Sequence, residues 1–293
     1  MRPFVKWAGG KTKLLKQLSH FFPDFKGTYY EPFLGGGAVF FHLKPERAVL
    51  SDSNSELINL FQMIKDKPKE LMKKLDEHQP NVQDKDYFLD VRDWDLNNLN
   101  QIEEAARTIF LNKTCFNGLY RVNSKGKYNV PFGRTAQGNP PKLYSKENIL
   151  ECSQTLKNVE LICTDFQEIV KKAGPDDFIY LDPPYHASNK ASMYSKVAYS
   201  DDLQDRVAQF FHDLHLTGAK VMLNNSSTLE VLKEMYESVR ELYENEAYSV
   251  TVLDSSWSIG AIGKWRGKRG ELTVLNYESK AFSGLQEQQT LQI

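Results

Sequence analysis

Phe178-Ile179-Tyr180-Leu181-Asp182-Pro183-Pro184-Tyr185 is an apolar run that ends in an acid, two prolines and a ring. Four apolar residues bounded by a turn signal read as a buried strand of a parallel sheet. Proline has no N–H for the ladder, so Pro183 and Pro184 stop the strand and stiffen the chain beyond it. In open α/β sheets ligands sit outside the carboxyl ends of the strands, which puts Asp182 and Tyr185 over a pocket. The Asp182 carboxylate and the Pro183 carbonyl offer two acceptors, and Tyr185 offers a face. That set suits a planar group with an exocyclic amine, such as adenine. The plainer alternative is a strand followed by a Pro-Pro turn with a surface Tyr185.

Upstream, Thr28 to Phe33 reads as a short strand that feeds Leu34-Gly35-Gly36-Gly37 and a helix from Ala38 to Leu43. Strand, glycine turn and helix is how a sheet brings backbone close to a nucleotide-like ligand. Ala48-Val49-Leu50-Ser51-Asp52 follows as a second strand, with Asp52 seventeen residues after Gly35. That is near where a Rossmann-like fold holds ribose hydroxyls with a carboxylate. Capping of the helix over Glu56 to Ile64 is the other role for Asp52-Ser53-Asn54. The opening Lys6-Trp7-Ala8-Gly9-Gly10-Lys11 turns at its glycines into a helix with Leu14, Leu15, Leu18, Phe21 and Phe22 on one face. It lacks the first glycine of a phosphate loop, so Trp7 and Lys11 belong either to a plain turn or to a lid over a ligand. Val159 to Cys163 is a strand ending at Asp165 and Phe166. Asp165 could accept from a cofactor's adenine amine beside the Phe166 ring, or cap a helix from Gln167 to Lys172.

From Pro68 to Thr114 the period is helical, over Leu71–Leu75, Tyr87–Val91 and Ala105–Leu111, which breaks the βα rhythm and marks an insertion. A basic, aromatic, turn-rich stretch follows, with Phe116, Asn117, Leu119, Arg121, Asn123, Lys127 and Arg134. A hairpin between Asn117-Gly118 and Lys125-Gly126 is expected. Arginines interleaved with rings suit a groove-reading loop: Arg for guanine edges, Lys for phosphates, apolar wedges for gaps in the stack. A hairpin whose rings pack on the helices is the alternative. The rhythm then resumes, with a helix from Leu203 to Leu216, strands over Lys220–Asn224, Tyr248–Leu253 and Glu271–Tyr277, and a Gly/Ser/Lys/Arg loop from Ser255 to Gly270.

The chain has 293 residues, is 41% hydrophobic and 12% aromatic, and carries a net charge of −1. Net charge argues against nucleic acid, but its distribution does not: Arg107 to Lys146 holds eight Lys/Arg and no acid. No apolar run is long enough to span a membrane, and Met1-Arg2-Pro3-Phe4 lacks a signal-peptide apolar region, so a cytoplasmic location is expected. The three cysteines have neither disulfide nor metal spacing, and no metal site is expected.

Taken in order, the motifs Lys6–Lys11, Glu31–Gly37, Phe116–Arg121, Asn129–Arg134 and Asp182–Tyr185 resemble those of the Dam-type, α-class DNA adenine-N6 methyltransferases, from about residue 4 to 277. The resemblance implies an α/β fold. Its core is a Rossmann-like class I methyltransferase sheet, mostly parallel and doubly wound, with an inserted, mainly helical target-recognition domain carrying a hairpin. The expected division is 1–56 and 145–278 for the catalytic domain, 57–144 for target recognition and 279–293 for a disordered tail. It implies S-adenosyl-L-methionine as cofactor, held by Trp7, Lys11, Glu31, Phe33, Gly35, Asp52, Asp165, Phe166 and Asp182. The implied substrate is duplex DNA with GATC or a GAT-containing site, Arg121 reading guanine. Asp182, Pro183 and Tyr185 would be catalytic on a flipped adenine, with Phe116 or Leu119 filling the gap. A monomer is expected, and a cognate restriction endonuclease is left open. An RNA or N4-cytosine methyltransferase of the same fold, and a non-catalytic DNA-binding protein with a residual pocket, are the competing expectations. An NAD-dependent dehydrogenase is disfavoured because Gly35-Gly36-Gly37 lacks the G-x-G-x-x-G spacing.

Overall fold

The apolar run that ends at Leu181 is the strand β4 (Phe178–Leu181), buried at all four positions. Phe178 and Tyr180 pack into one hydrophobic cluster and Ile179 and Leu181 into another, so both faces of the strand are covered. That double burial is why the run is continuous rather than alternating. The structure, a computed structural model, describes residues 1–133, 140–169, 173–184, 201–226, 249–256 and 268–279.

Seven strands form one sheet: β1 (Tyr29–Glu31), β2 (Ala48–Asp52), β3 (Val159–Cys163), β4, β5 (Lys220–Ser226), β6 (Ser249–Ser256) and β7 (Lys268–Leu275). Their order is β3-β2-β1-β4-β5-β7-β6. The first five run parallel, and β7 lies antiparallel between β5 and β6. From β1 the chain winds outward to β2 and β3, then returns to lay β4 on the other side of β1. The strand order therefore reverses between β1 and β4, where such sheets open a crevice for ligands. β6 and β7 pair from Ser249–Leu275 out to Ser256–Lys268. Both ends of the expected loop from Ser255 to Gly270 are therefore strand, because the two chains continue their ladder into it.

Between β2 and β3 the chain builds α3 (Ser55–Asp66), α4 (Pro68–His78), α5 (Lys85–Asp93) and α6 (Gln101–Thr114), as the period indicated, and then α7 (Lys146–Thr155), which it did not. Asn54, Asp84 and Ser145 cap α3, α5 and α7 by accepting from backbone amides, and Asn100 with Glu103 forms a capping box on α6. One cluster of buried residues runs from Phe4 and Leu50 through Leu71, Phe88 and Phe110 to Leu143 and Ile149. The inserted helices thus share a core with one face of the sheet. The other face is covered by α8 (Asp201–Leu216), whose Leu203, Val207, Phe210, Phe211 and Leu214 meet Val221, Leu223, Leu272 and Val274.

Two local expectations change. The N-terminal helix is a 3-10 turn (Lys11–Lys13) and a single-turn α1 (Leu15–Leu18) ahead of α2 (Ala38–Leu43). Neither of the first two has a capping side chain, and Leu14, Leu18 and Phe21 are held by burial instead. Where a helix from Gln167 to Lys172 is expected, the described residues hold a 3-10 turn, Phe166–Glu168, and residues 170–172 lie outside them. Residues 185–200 and 227–248, residues 257–267 of the expected loop and the expected tail from 280 lie outside the described residues.

Candidate active site

Asp182 leaves the end of β4 into a nearly closed polar chamber. Lys11 Nζ donates to both of its carboxylate oxygens, at 2.6 and 2.7 Å. The same Nζ donates to Gly9 O at 3.0 Å and to Glu271 Oε1 of β7 at 3.0 Å. Lys11 and Glu271 are 3% and 4% exposed and Asp182 18%, so this is a buried cation between one buried and one half-buried acid. A third acid, Glu31 at the end of β1, lies close enough to act on both Lys11 and Asp182. Its Oε2 accepts from the Tyr29 hydroxyl at 2.8 Å and from the Phe40 amide of α2 at 3.1 Å.

Burial sets the charges here. It pushes Glu31 up to about 8, against the Tyr29 hydrogen bond. It pushes Glu271 up to about 7, against the pull of Lys11. It raises Asp182 too, with Lys11 opposing. Burial works to discharge Lys11, but Asp182 and Glu271 together outweigh it and hold the ammonium above its ordinary range. The Tyr180 hydroxyl, two residues before Asp182, is buried with no hydrogen-bond partner among the described residues. Beyond Asp182 the Pro-Pro segment is braced from α8. Gln204 Nε2 donates to Pro184 O at 3.1 Å, and Gln204 Oε1 accepts from Asn225 Nδ2 of β5 at 2.8 Å. Pro183 is buried, while Tyr185 lies outside the described residues.

On the other side of the switch point, Gly35 and Gly37 have φ of +48° and +67°. A Cβ on Gly35 would come within 2.9 Å of Trp7 Cδ1, so the turn needs glycine for both its backbone and its close approach. The Gly35 amide donates to Asp52 at 3.0 Å and the Asn54 amide donates to its other oxygen at 3.0 Å. Asn54 caps α3 while Asp52 holds the glycine turn. Of Asp52-Ser53-Asn54, it is Asn54 that makes the cap. Phe33 packs on Phe166 with ring centroids 4.9 Å apart. Asp165 accepts from the Gln167 amide at 3.1 Å and from the Arg206 guanidinium of α8 at 2.8 Å, and Arg206 also lies 4.9 Å over the Phe166 ring.

The arm after α6 folds back as a minimal hairpin, with bridges Cys115–Phe132 and Val122–Tyr128. Asn123 makes its turn, its side chain accepting from the Lys125 and Lys127 amides at 2.9 and 3.0 Å. Arg121 is oriented across the hairpin by Asn129, Nε to Oδ1 at 2.7 Å. Phe116 is 40% exposed beside Asn117 and Gly118, which have φ of +58° and +67°. Leu119 is half-buried and Lys127 exposed, and Arg134 lies outside the described residues. Two connections join this arm to the rest. Asn112 accepts from the Lys6 amide at 2.9 Å and donates to Lys6 O and Gly118 O, at 2.8 and 3.1 Å. Tyr120 stacks on Trp7 at 5.2 Å and donates to Glu56 at 2.7 Å, which also pairs with Arg107 at 3.0 Å.

The structure therefore gathers Lys11 and Asp182 in one chamber, and Trp7, Gly35 and Asp52 around the glycine turn. It places Arg121 on an arm tied to Trp7 through Tyr120. Glu271, Asn112, Arg206 and Gln204 carry no local signal of a site role, because each acts on a residue far along the chain.

A sequence model of a family described as D12 class N6 adenine-specific DNA methyltransferase matches residues 7–250. The Type II methyltransferase M1.LlaDCHI of Lactococcus lactis subsp. cremoris is 38% identical over 286 residues, covering 94% of this chain and 96% of that protein. The Type II methyltransferase M.MjaIII of Methanocaldococcus jannaschii is 37% identical over 258 residues, with 81% and 88% covered. A DNA adenine methylase of Vibrio cholerae is 30% identical over 284 residues, with 94% and 95% covered. With a strand-end Asp-Pro-Pro at the switch of a mostly parallel sheet and a family match over most of its length, this chain belongs to the D12 class N6 adenine-specific DNA methyltransferases.

Proposed function

We propose that this enzyme uses S-adenosyl-L-methionine to methylate N6 of an adenine flipped out of duplex DNA, within GATC or another GAT-containing site. The observation that carries the reading is the position of Asp182, at the switch point and bonded to Lys11 opposite the glycine turn. The cofactor side fits an adenosine-bearing donor. Asp52 is a half-buried carboxylate bonded to the Gly35 amide, a Cβ on Gly35 would press on Trp7, and the Phe33 and Phe166 rings pack on each other. Trp7 and Asp52 would hold the donor at that turn, with Phe33, Gly35 and Phe166. Asp165 would join them beside Phe166, with one of its oxygens bonded to Arg206. Lys11 already has three acceptor groups, Asp182, Glu271 and Gly9 O, so its first role is to orient the Asp182 carboxylate. Bound there, the donor supplies a methyl cation equivalent from its sulfonium.

The residues of the chain do the rest. An adenine N6 is a poor nucleophile because its lone pair is spread into the ring. Asp182 and the Pro183 carbonyl accept its two N–H bonds and aim the lone pair; positioning of this kind is worth roughly 7–11 kcal/mol. The base must leave the stack, at a cost of a few kcal/mol. Tyr185 stacks on the flipped ring, and Phe116, exposed on a left-handed turn, is shaped to fill the vacated space. Arg121 reads a guanine edge from the hairpin, with Asn117, Leu119, Asn123, Lys127 and Arg134 along the same arm. The names of the two Type II relatives favour a restriction endonuclease of the same target as the biological partner. The test is incubation with methyl-labelled S-adenosyl-L-methionine and duplexes that carry GATC or a scrambled site, followed by identification of the modified base. N6-methyladenine only in the GATC duplex is expected. Label on cytosine, or none at all, would sink the proposal.

A further inference from the structure

Transfer to N6 leaves one proton too many, and the chamber around Asp182 has more acids than it needs to hold an amine. We infer that Glu271, on β7, is the final acceptor of the proton the adenine amine must lose, and that it receives that proton from Asp182 through Lys11. The inference rests on the reading of Asp182 as the group that grips the amine.

The balance is as follows. The methyl arrives without an electron pair, and the N6 lone pair forms the new N–C bond. The nitrogen then carries a positive charge and two hydrogens, where the product keeps one. The surplus proton moves to an Asp182 oxygen, and its bonding pair returns to nitrogen. Lys11 passes one Nζ proton to Glu271 Oε1 and takes up the proton on Asp182. At the end Lys11 is again an ammonium, Asp182 again a carboxylate and Glu271 a carboxylic acid. Nothing is oxidised or reduced.

The geometry is in place. Lys11 Nζ stands 2.6 Å from Asp182 and 3.0 Å from Glu271, inside the roughly 2.6–3.2 Å over which side chains exchange protons. Lys11 and Glu271 are nearly closed to solvent while Asp182 is 18% exposed, so bulk water has little access to the Lys11–Glu271 half of the step. Burial lifts both acids and Lys11 opposes both, and Glu271 is left at about 7, where it can take up a proton near neutral pH. Glu31 is lifted further, to about 8, but its Oε2 is taken by the Tyr29 hydroxyl and the Phe40 amide. Among the described residues, the titratable groups facing this chamber are Lys11 from the N-terminal turn, Asp182 and Tyr180 from β4, and Glu31 and Tyr29 from β1. The register neighbours of Glu271, Ser226 on β5 and Leu253 on β6, are not titratable in this range.

The test follows single-turnover methylation of genomic DNA free of N6-methyladenine against pH, for the wild type, Glu271→Gln and Glu271→Asp. The wild-type rate should fall on the acid side with a midpoint at about 7, since an already protonated Glu271 accepts nothing. Glu271→Gln should lose that limb and be slower by about 10²-fold at its plateau, the lower end of general acid–base contributions. Glu271→Asp should keep the limb with a displaced midpoint. Independently, carbon-13 spectra of glutamate-labelled protein alone should show a carboxyl that titrates at about 7 and vanishes in Glu271→Gln. If Glu271→Gln does not fold, the Asp variant and the carboxyl titration decide, and an undisplaced midpoint overturns the inference. Absence of adenine methylation by the wild type overturns the reading of the site and this inference with it. Methylation by the wild type with an unchanged pH profile in folded Glu271→Gln overturns the inference alone.

Discussion

Lys11 meets Asp182, Glu271 and Gly9 O with its three N–H groups, and the consequences can be measured one side chain at a time. Replacing it with Met leaves a buried and a half-buried carboxylate without their cation, and breaking a buried pair from one side costs about 3–5 kcal/mol. Urea unfolding of Lys11→Met should show a loss of that size at neutral pH and a smaller one in acid, where the carboxylates protonate. Asp182→Ala should abolish methylation while duplex binding, followed by fluorescence anisotropy, stays within a few-fold of the wild type; loss of both would remove Asp182 from the chemistry. The raised acids also set a pH dependence. Glu31 and Glu271, at about 8 and about 7, stand above their ordinary value of 4.5. Between about pH 4.5 and about pH 8 the folded chain holds protons that the unfolded chain has lost, so stability is full in acid and falls as pH rises through that window. Glu271→Gln lacks its share of this fall. The urea midpoint of the wild type should therefore drop relative to that variant from about pH 5 to about pH 8; a constant difference would contradict the assignment.

At the scale of elements, the hairpin and the glycine turn were legible because each is a local contract between backbone and sequence. Asn123 to Lys127 closes a turn whose asparagine caps it, and Gly35 takes a left-handed φ under the Trp7 ring. Gly35→Ala should destabilise the fold by roughly 1 kcal/mol or more, the scale for Ala at positive φ. It should also weaken donor binding measured by calorimetry, because the added methyl displaces Trp7. The arm's own test is Arg121→Ala, which should remove about 1–3 kcal/mol of discrimination at one guanine. A uniform loss on all duplexes would make Arg121 a phosphate contact. The length of the first helix was not legible. Its apolar spacing continues to Phe22, yet the chain makes one turn of helix there, because burial of Leu14, Leu18 and Phe21 does not require a continuous helix.

For the whole molecule, a net charge of −1 conceals a run of eight Lys/Arg without an acid, part of which lies on the exposed side of the hairpin. Binding to duplex should therefore weaken steeply with salt, log affinity falling linearly with log salt concentration. Lys127→Ala should lower that slope by about one, equally on specific and scrambled DNA. A change confined to one sequence would instead place Lys127 on a base. The mostly parallel sheet and its two covered faces follow from the βα rhythm and the apolar runs, and they were readable in advance. So was the ending of β4 in Asp182-Pro183-Pro184, since proline and strand chemistry act within a few residues. The company Asp182 keeps was not. Lys11 is 171 positions away from it along the chain, and Glu271 reaches the chamber only because β7 lies antiparallel two places from β4. Periodicity and spacing report neighbours in sequence. Which acid shares a cation with which is decided by how the sheet is assembled, and burial then sets their protons.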